Sequence, residues 1–170
     1  MNTSLLACAL GLVVTLTGCT GYSLGNQKPA HLSHVTKLAV PTFENQTLEP
    51  RLGSLVTNAI IKQIQNSGGY EIVSIDDAEA VLDGRVVNVS RSQFRADRDN
   101  VLRTSQLLMT LRVDYEIKDA GSSSIIHRGR ASADSYTILD SNIQNSEAQA
   151  LEDAAQRLSV NVASDITEGW

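Results

Sequence analysis

Alternation of side-chain polarity over residues 107–118 is the feature that most constrains how this chain can fold. Every second residue, beginning at position 107, is apolar: Leu107, Met109, Leu111, Val113, Tyr115 and Ile117. The intervening set is polar from Thr110 onwards. Because successive side chains of a strand point to opposite faces, this period of two predicts a half-buried antiparallel strand. A turn is predicted at 120–124, and residues 125–138 are the predicted hairpin partner.

Shorter apolar runs predict three further strands, at 35–40, 70–75 and 80–89. Within the third run the apolar positions change parity between Val86 and Val87, which favours a bulge or burial on both sides. A turn is predicted between the first strand and the following helix, through Glu44, Asn45 and Gln46.

Two segments have apolar residues at helical spacing. The first covers 48–64, with Thr47 as a candidate N-cap and Pro50 in the first turn. The second opens on a capping box at Ser146 and continues as one apolar stripe towards Trp170. Each helix therefore has one face to bury.

The predicted order is β-α-β-β-β-β-α, which indicates an α/β fold of the α+β kind. Two helices would pack on one face of a mixed, largely antiparallel sheet of four to five strands. The opposite sheet face, which carries Arg112, Asp114, Glu116 and Lys118, must then meet water or a partner.

The N-terminus predicts export and lipidation. Residues 5–16 form an uncharged apolar run that is too short to span a bilayer but has the length of a signal-peptide core. Leu16, Thr17, Gly18 and Cys19 follow and resemble the lipobox of bacterial lipoproteins. Cleavage before Cys19 would leave a terminal cysteine, whose thiol and amine can carry the acyl chains of a stable membrane anchor.

We therefore expect three regions: a signal peptide at 1–18, a lipidated N-terminus with a flexible tether at 19–34, and a single domain at 35–170. Thr20, which follows the cysteine, is not the Asp that retains enteric lipoproteins at the inner membrane. This favours the outer membrane, with the domain on the periplasmic side. The segment before the apolar run has no Lys or Arg, which is unusual for a signal peptide.

Charge is unevenly distributed. The formal net charge of -5 argues against nucleic-acid binding. Residues 85–130, however, contain nine basic and five acidic residues, a net charge of +4. Arginine pairs with phosphate through two parallel hydrogen bonds, so the group Arg91, Arg95, Arg98 and Arg103 is a candidate site for an anionic lipid headgroup. The alternative is a solvated hairpin tip in which arginines pair with neighbouring aspartates.

The sequence contains no motif for a nucleophile, a phosphate loop or a dinucleotide. His31 and His34 lie in the predicted tether without a nearby cysteine, so a metal site is not predicted there. We expect no enzyme activity and no cofactor.

Four segments resemble the LptE family of lipopolysaccharide-assembly lipoproteins. They are Cys19 with residues 21–25, the strand and turn at 38–47 before Pro50, residues 78–84, and the final helix ending at Trp170. The resemblance implies two helices on one face of a mixed sheet and no enzymatic activity. It also implies a specific partner, the large β-barrel translocon LptD. By this resemblance, family members plug the lumen of that barrel, assist its assembly and bind lipopolysaccharide. Only Cys19 can be carried over as a family site, for lipid attachment.

Other periplasm-facing lipoproteins remain an alternative. Activators of peptidoglycan synthases and curli-secretion lipoproteins also combine a lipidated cysteine with a strand like Leu38–Ala39–Val40 followed by Phe43–Glu44–Asn45. An enzyme acting on envelope material is a third alternative.

Overall fold

A computed structural model describes residues 28–95, 106–138 and 143–169 of the chain. The strands are β1 Lys37–Ala39, β2 Glu44–Asn45, β3 Glu71–Ile72, β4 Ala80–Arg95, β5 Gln106–Asp119 and β6 Ile125–Ile138. The helices are α1 Leu52–Ser67 and α2 Ile143–Glu168, and 3-10 turns lie at Ala30–Leu32 and Ile75–Asp77.

The described strands form one mixed sheet in the order β3-β1-β4-β5-β6, with β2 paired to β4. The long strands β4, β5 and β6 are antiparallel, whereas the short strands β1, β2 and β3 pair in parallel. The α+β class, the two helices and the mixed sheet are thus confirmed, with six described strands instead of four to five. The extra strand is the predicted turn at Glu44 and Asn45, which pairs with Arg85 and Val86.

Strand β5 confirms the predicted alternation. Its core-facing residues are at most 2% exposed: Met109, Leu111, Val113, Tyr115 and Ile117. The four from Leu111 to Ile117 belong to one core cluster with the apolar stripes of both helices, including Ile60 of α1 and Leu158 of α2, which are each 0% exposed. Removing such side chains from water stabilises a fold by about 1.5–3 kcal/mol each.

The parity change in β4 is a β-bulge. The register with β5 shifts between Val86 and Asn88, so Val86 lies opposite Val113 and Asn88 lies opposite Arg112. One extra residue at this point allows Val86 and Val89 to face the same side although they are three residues apart.

Both predicted helix caps were wrong. Helix α1 begins at Leu52 after Arg51, whose φ of 63° is left-handed, and no side chain caps this end. Thr47 instead hydrogen-bonds within the preceding loop, where its hydroxyl donates to Asn45 Oδ1 at 2.7 Å. Helix α2 begins at Ile143, so Ser146 lies inside the helix.

Two strand lengths also differ from prediction. The run at 70–75 forms only the two-residue strand β3, because the 3-10 turn Ile75–Asp77 follows it closely. Strand β4 continues six residues beyond the predicted end at Val89, since β5 is long enough to pair with it as far as Arg95.

A glycine in β6 makes room for the largest core side chain of β5. A Cβ atom at Gly129 would lie 2.3 Å from Cζ and from the hydroxyl oxygen of Tyr115. Gly129→Ala should therefore destabilise the domain by about 1–3 kcal/mol, because the buried ring has to move. Urea denaturation measures this cost. Gly121→Ala is the matched control, since its Cβ would meet only Asp119 Oδ1 at 3.5 Å; equal stability of the two variants would contradict the packing.

Candidate functional site

Arg91 is the best-defined of the predicted arginines. It lies opposite Met109 in the β4–β5 register, so it is on the helix side of the sheet. Its guanidinium hydrogen-bonds Glu49 of the loop before α1, and Nη2 lies 3.4 Å from Glu147 Oε2 of α2. The hydrogen bond to Glu49 is the main cause that raises the pKa of Arg91. Arg91 therefore joins three elements, and its charge is already compensated by acidic residues distant in sequence.

The other three predicted arginines are less defined. Arg95 is the last residue of β4 and pairs with Gln106, which in turn lies opposite Ile138 of β6. Arg98, Arg103 and the lipidation candidate Cys19 lie outside the described residues. The structure thus brings Arg91 and Arg95 to the end of the sheet where β5 begins and β6 ends. We call this the arginine end.

The sheet face away from the helices is polar and extensively ion-paired. Lys118 Nζ lies 2.7 Å from Asp83 Oδ2, which joins β5 to β4. Arg130 Nε lies 2.7 Å from Asp114 Oδ1, which joins β6 to β5. We call this surface the open face. Basic and acidic residues are mixed on this face across three strands, so the face can meet another polar surface without carrying a large net charge.

Electrostatics on the open face follow from these pairs. The hydrogen bond from Arg130 holds the pKa of Asp114 below its ordinary value. The hydrogen bond to Asp83 raises the pKa of Lys118. A third pair joins Arg128 Nε to Glu116 Oε1 at 3.1 Å. Each of these side chains therefore has a partner of opposite sign on a neighbouring strand.

The predicted tether packs on the domain from residue 28 onwards. Leu32 and Val35 are each 1% exposed and belong to the core. Lys28 Nζ donates to the carbonyl of Val35 at 2.6 Å and lies 4.2 Å from the ring centroid of Tyr70. Apolar burial and a cation–π contact thus fix this segment to the domain.

A hydrogen-bonded cluster supports the same segment. His31 stacks on His127 of β6, with ring centroids 5.1 Å apart. His127 Nε2 lies 2.7 Å from Asp165 Oδ2, which also accepts a hydrogen bond from the Tyr115 hydroxyl. Burial is the main cause that raises the pKa of Tyr115, so the phenol remains a donor. His31 therefore has an aromatic packing role within the described chain.

Sequence reasoning missed this docked segment and the partners of Arg91. Leu32 and Val35 were a possible signal, because two apolar residues three apart interrupt the otherwise polar stretch. Glu49 and Glu147 gave no signal, since they lie 42 and 56 residues from Arg91 in the chain.

The described residues thus form an α+β domain with one sheet face covered by helices and one polar, ion-paired face. Neither of the described helices is long and apolar enough to span a membrane. The chain belongs to the LptE family: the family model described as "LptE: Lipopolysaccharide-assembly" matches residues 35–167. Comparison with curated protein sequences gives no match.

Several solved structures have a similar fold at low sequence identity. The hypothetical protein CT253 from Chlamydia trachomatis has a TM-score of 0.56 and 10% identity, covering 80% of this chain and 99% of its own. A putative neuraminyllactose-binding hemagglutinin homolog from Helicobacter pylori has a TM-score of 0.56 and 12% identity, covering 88% and 91%. A minor lipoprotein from Acinetobacter baumannii has a TM-score of 0.51 and 16% identity, covering 79% and 92%. These similarities concern the fold alone.

Proposed function

We propose that this protein is a non-enzymatic outer-membrane lipoprotein, anchored through Cys19 on the periplasmic side. In this proposal it plugs and helps to assemble an LptD-like β-barrel translocon and assists insertion of lipopolysaccharide at the cell surface. Membership of the LptE family supports the assembly role. The observation that carries the proposal is the open face, whose chemistry suits the inside of a barrel.

The lumen of a large outer-membrane barrel is polar. A plug must therefore bury polar groups without leaving charges unpaired, because an isolated buried charge is costly. On the open face the pairs Lys118–Asp83, Arg128–Glu116 and Arg130–Asp114 already satisfy this condition within the protein. Docking against a polar wall would then require no new counter-charge for these residues.

The placement of the N-terminal segment gives the domain a direction relative to its anchor. Cys19 is nine residues before Lys28, so the anchor can lie at most about 30 Å from the docked segment. His127, which contacts His31, is eleven residues before Ile138 in β6, a distance of about 36 Å along the strand. The arginine end therefore lies at the opposite end of β6 from the docked segment. A domain anchored at the periplasmic leaflet could enter a barrel with its arginine end inserted first.

The function is tested by purifying the full-length lipoprotein from envelopes in detergent. We expect an outer-membrane β-barrel of large size to co-purify, and we expect depletion to leave that barrel misassembled. Mass spectrometry should find the terminal peptide acylated at Cys19. Co-purification of a bitopic peptidoglycan synthase instead of a barrel would contradict the proposal and favour the activator class.

We further propose that the arginine end contacts the phosphates of lipopolysaccharide. Arg91 differs from the other arginines, because Glu49 and Glu147 already compensate its charge. Changing Arg95, Arg98 and Arg103 together to Glu should weaken lipopolysaccharide binding about tenfold or more, because several charge-assisted hydrogen bonds are lost. The loss should be larger at low salt than at high salt.

Arg91→Glu should have the opposite profile: a smaller loss of binding and a clear loss of stability, because three acidic groups would then meet. Surface plasmon resonance on immobilised lipopolysaccharide and urea denaturation measure the two effects. Binding by the triple variant equal to that of the parent would contradict the contact and leave the plug role intact.

A further inference from the structure

The docked N-terminal segment, residues 28–35, lies at one end of the sheet. His31 of this segment stacks on His127 near the beginning of β6. Glu79, which directly precedes β4, accepts hydrogen bonds at 2.6 and 3.1 Å from the backbone N–H groups of residues 36 and 37. The last residue of β5 lies opposite the first residue of β4. We call this end of the domain, where β4 and β6 begin and β5 ends, the docked end.

Two large apolar side chains are exposed at the docked end. Ile75 is 59% exposed and opens the 3-10 turn that leads into β4. Ile125 is 42% exposed and is the first residue of β6, opposite Lys118 near the end of β5. Single exposed apolar side chains occur on many protein surfaces, so exposure alone indicates no partner. The position of the lipid anchor supplies the further constraint.

The anchor limits how far the docked end can lie from a membrane. Because Cys19 is nine residues before Lys28, acyl chains on Cys19 keep the docked segment within about 30 Å of the leaflet. The arginine end is about 36 Å further along β6. A short linker keeps two linked surfaces at an effective concentration of about millimolar. A contact that is weak by itself is therefore populated at the docked end in preference to the arginine end.

Charge at the docked end indicates which lipid surface fits. In the described strands and turns of this end, five acidic residues outnumber two basic ones: Glu71, Asp76, Asp77, Glu79 and Asp119 against Lys37 and Lys118. Lys28 of the docked segment does not reverse this balance. Like charges repel, so an anionic leaflet would oppose the contact. A zwitterionic phospholipid surface has no net charge and does not.

We propose that the docked end rests on a zwitterionic phospholipid leaflet, with Ile75 and Ile125 in its interfacial region. Apolar side chains gain burial at the boundary between headgroups and acyl chains. The contact adds to the lipid anchor and orients the domain, so that β4 leads away from the leaflet towards the arginine end. This inference rests on the proposed anchoring through Cys19 but requires no barrel partner.

Vesicle partition of the mature chain without its anchor tests the contact. Cys19→Ser removes the acylation site, so binding then reflects the protein surface alone. This chain should sediment with phosphatidylcholine vesicles at millimolar lipid, and more weakly with phosphatidylglycerol vesicles. Ile75→Glu with Ile125→Glu should lower partition about fivefold or more, because two apolar contacts become charged. Ile138→Glu with Val160→Glu makes the same charge change at positions 52% and 49% exposed, and should leave partition unaltered.

Fluorescence quenching on the lipidated full chain tests the orientation. A fluorophore is attached to Ile75→Cys, Ile125→Cys or Ile138→Cys in turn, since acylation blocks the thiol of Cys19. In phosphatidylcholine vesicles that contain headgroup spin-labelled lipid, the first two positions should be quenched about twofold or more relative to the third. Ile138 is the matched control, because its exposure is similar but it lies at the arginine end.

Several results would overturn the proposal: no vesicle binding by the Cys19→Ser chain, stronger binding to phosphatidylglycerol than to phosphatidylcholine, or equal effects of the two double variants. If the Ile75 and Ile125 double variant does not fold, the quenching comparison decides, and equal quenching at the three positions contradicts the contact. Failure of the anchor is detected separately. Mass spectrometry would find the terminal peptide unacylated, whereas partition of the Cys19→Ser chain does not depend on acylation.

Discussion

Burial of one side of β5 is the constraint on which the rest of the structure depends. Five of its side chains, from Met109 to Ile117, are at most 2% exposed and lie between the neighbouring strands and the helix layer. Because the period of a strand is two, burying this set commits the alternate set to the opposite side. The open face is therefore a direct consequence of the core. A register shift by one residue would bury the polar set of β5 and expose its apolar set.

The same constraint separates the surfaces of the domain. Residues on the helix side, such as Arg91, connect the sheet to α2 and to the loop before α1. Residues on the open face pair with one another across β4, β5 and β6. Along the strands, the docked N-terminal segment contacts the beginning of β6, and the arginine end lies where β6 finishes. One sheet thus carries a covered face, a polar face and two chemically distinct ends.

Local sequence patterns predicted the features that arise locally. Side-chain parity predicted the alternation in β5 and an irregularity after Val86, which is a bulge, and the turn at 120–124 predicted the hairpin with β6. The two-residue strand β2 was missed because its formation depends on pairing with Arg85 and Val86, about forty residues further along the chain. Thr47 and Ser146 are residue types that favour helix caps, yet α1 begins at Leu52 and α2 begins at Ile143.

The candidate site was predictable only in part for the same reason. A cluster of arginines is evident in the sequence, but the carboxylates that compensate Arg91 belong to distant elements. The docking of residues 28–35 depends on Tyr70 and His127, which no local pattern connects to that segment.

The central claim is that the open face lies against the wall of a barrel partner. Site-specific photo-crosslinking in intact envelopes tests it directly, with a photoreactive residue in place of Arg112, which is exposed at the centre of that face. The account predicts a covalent adduct with an outer-membrane β-barrel protein. An Arg112 position that crosslinks to no barrel, while the protein remains folded and membrane-anchored, would contradict it.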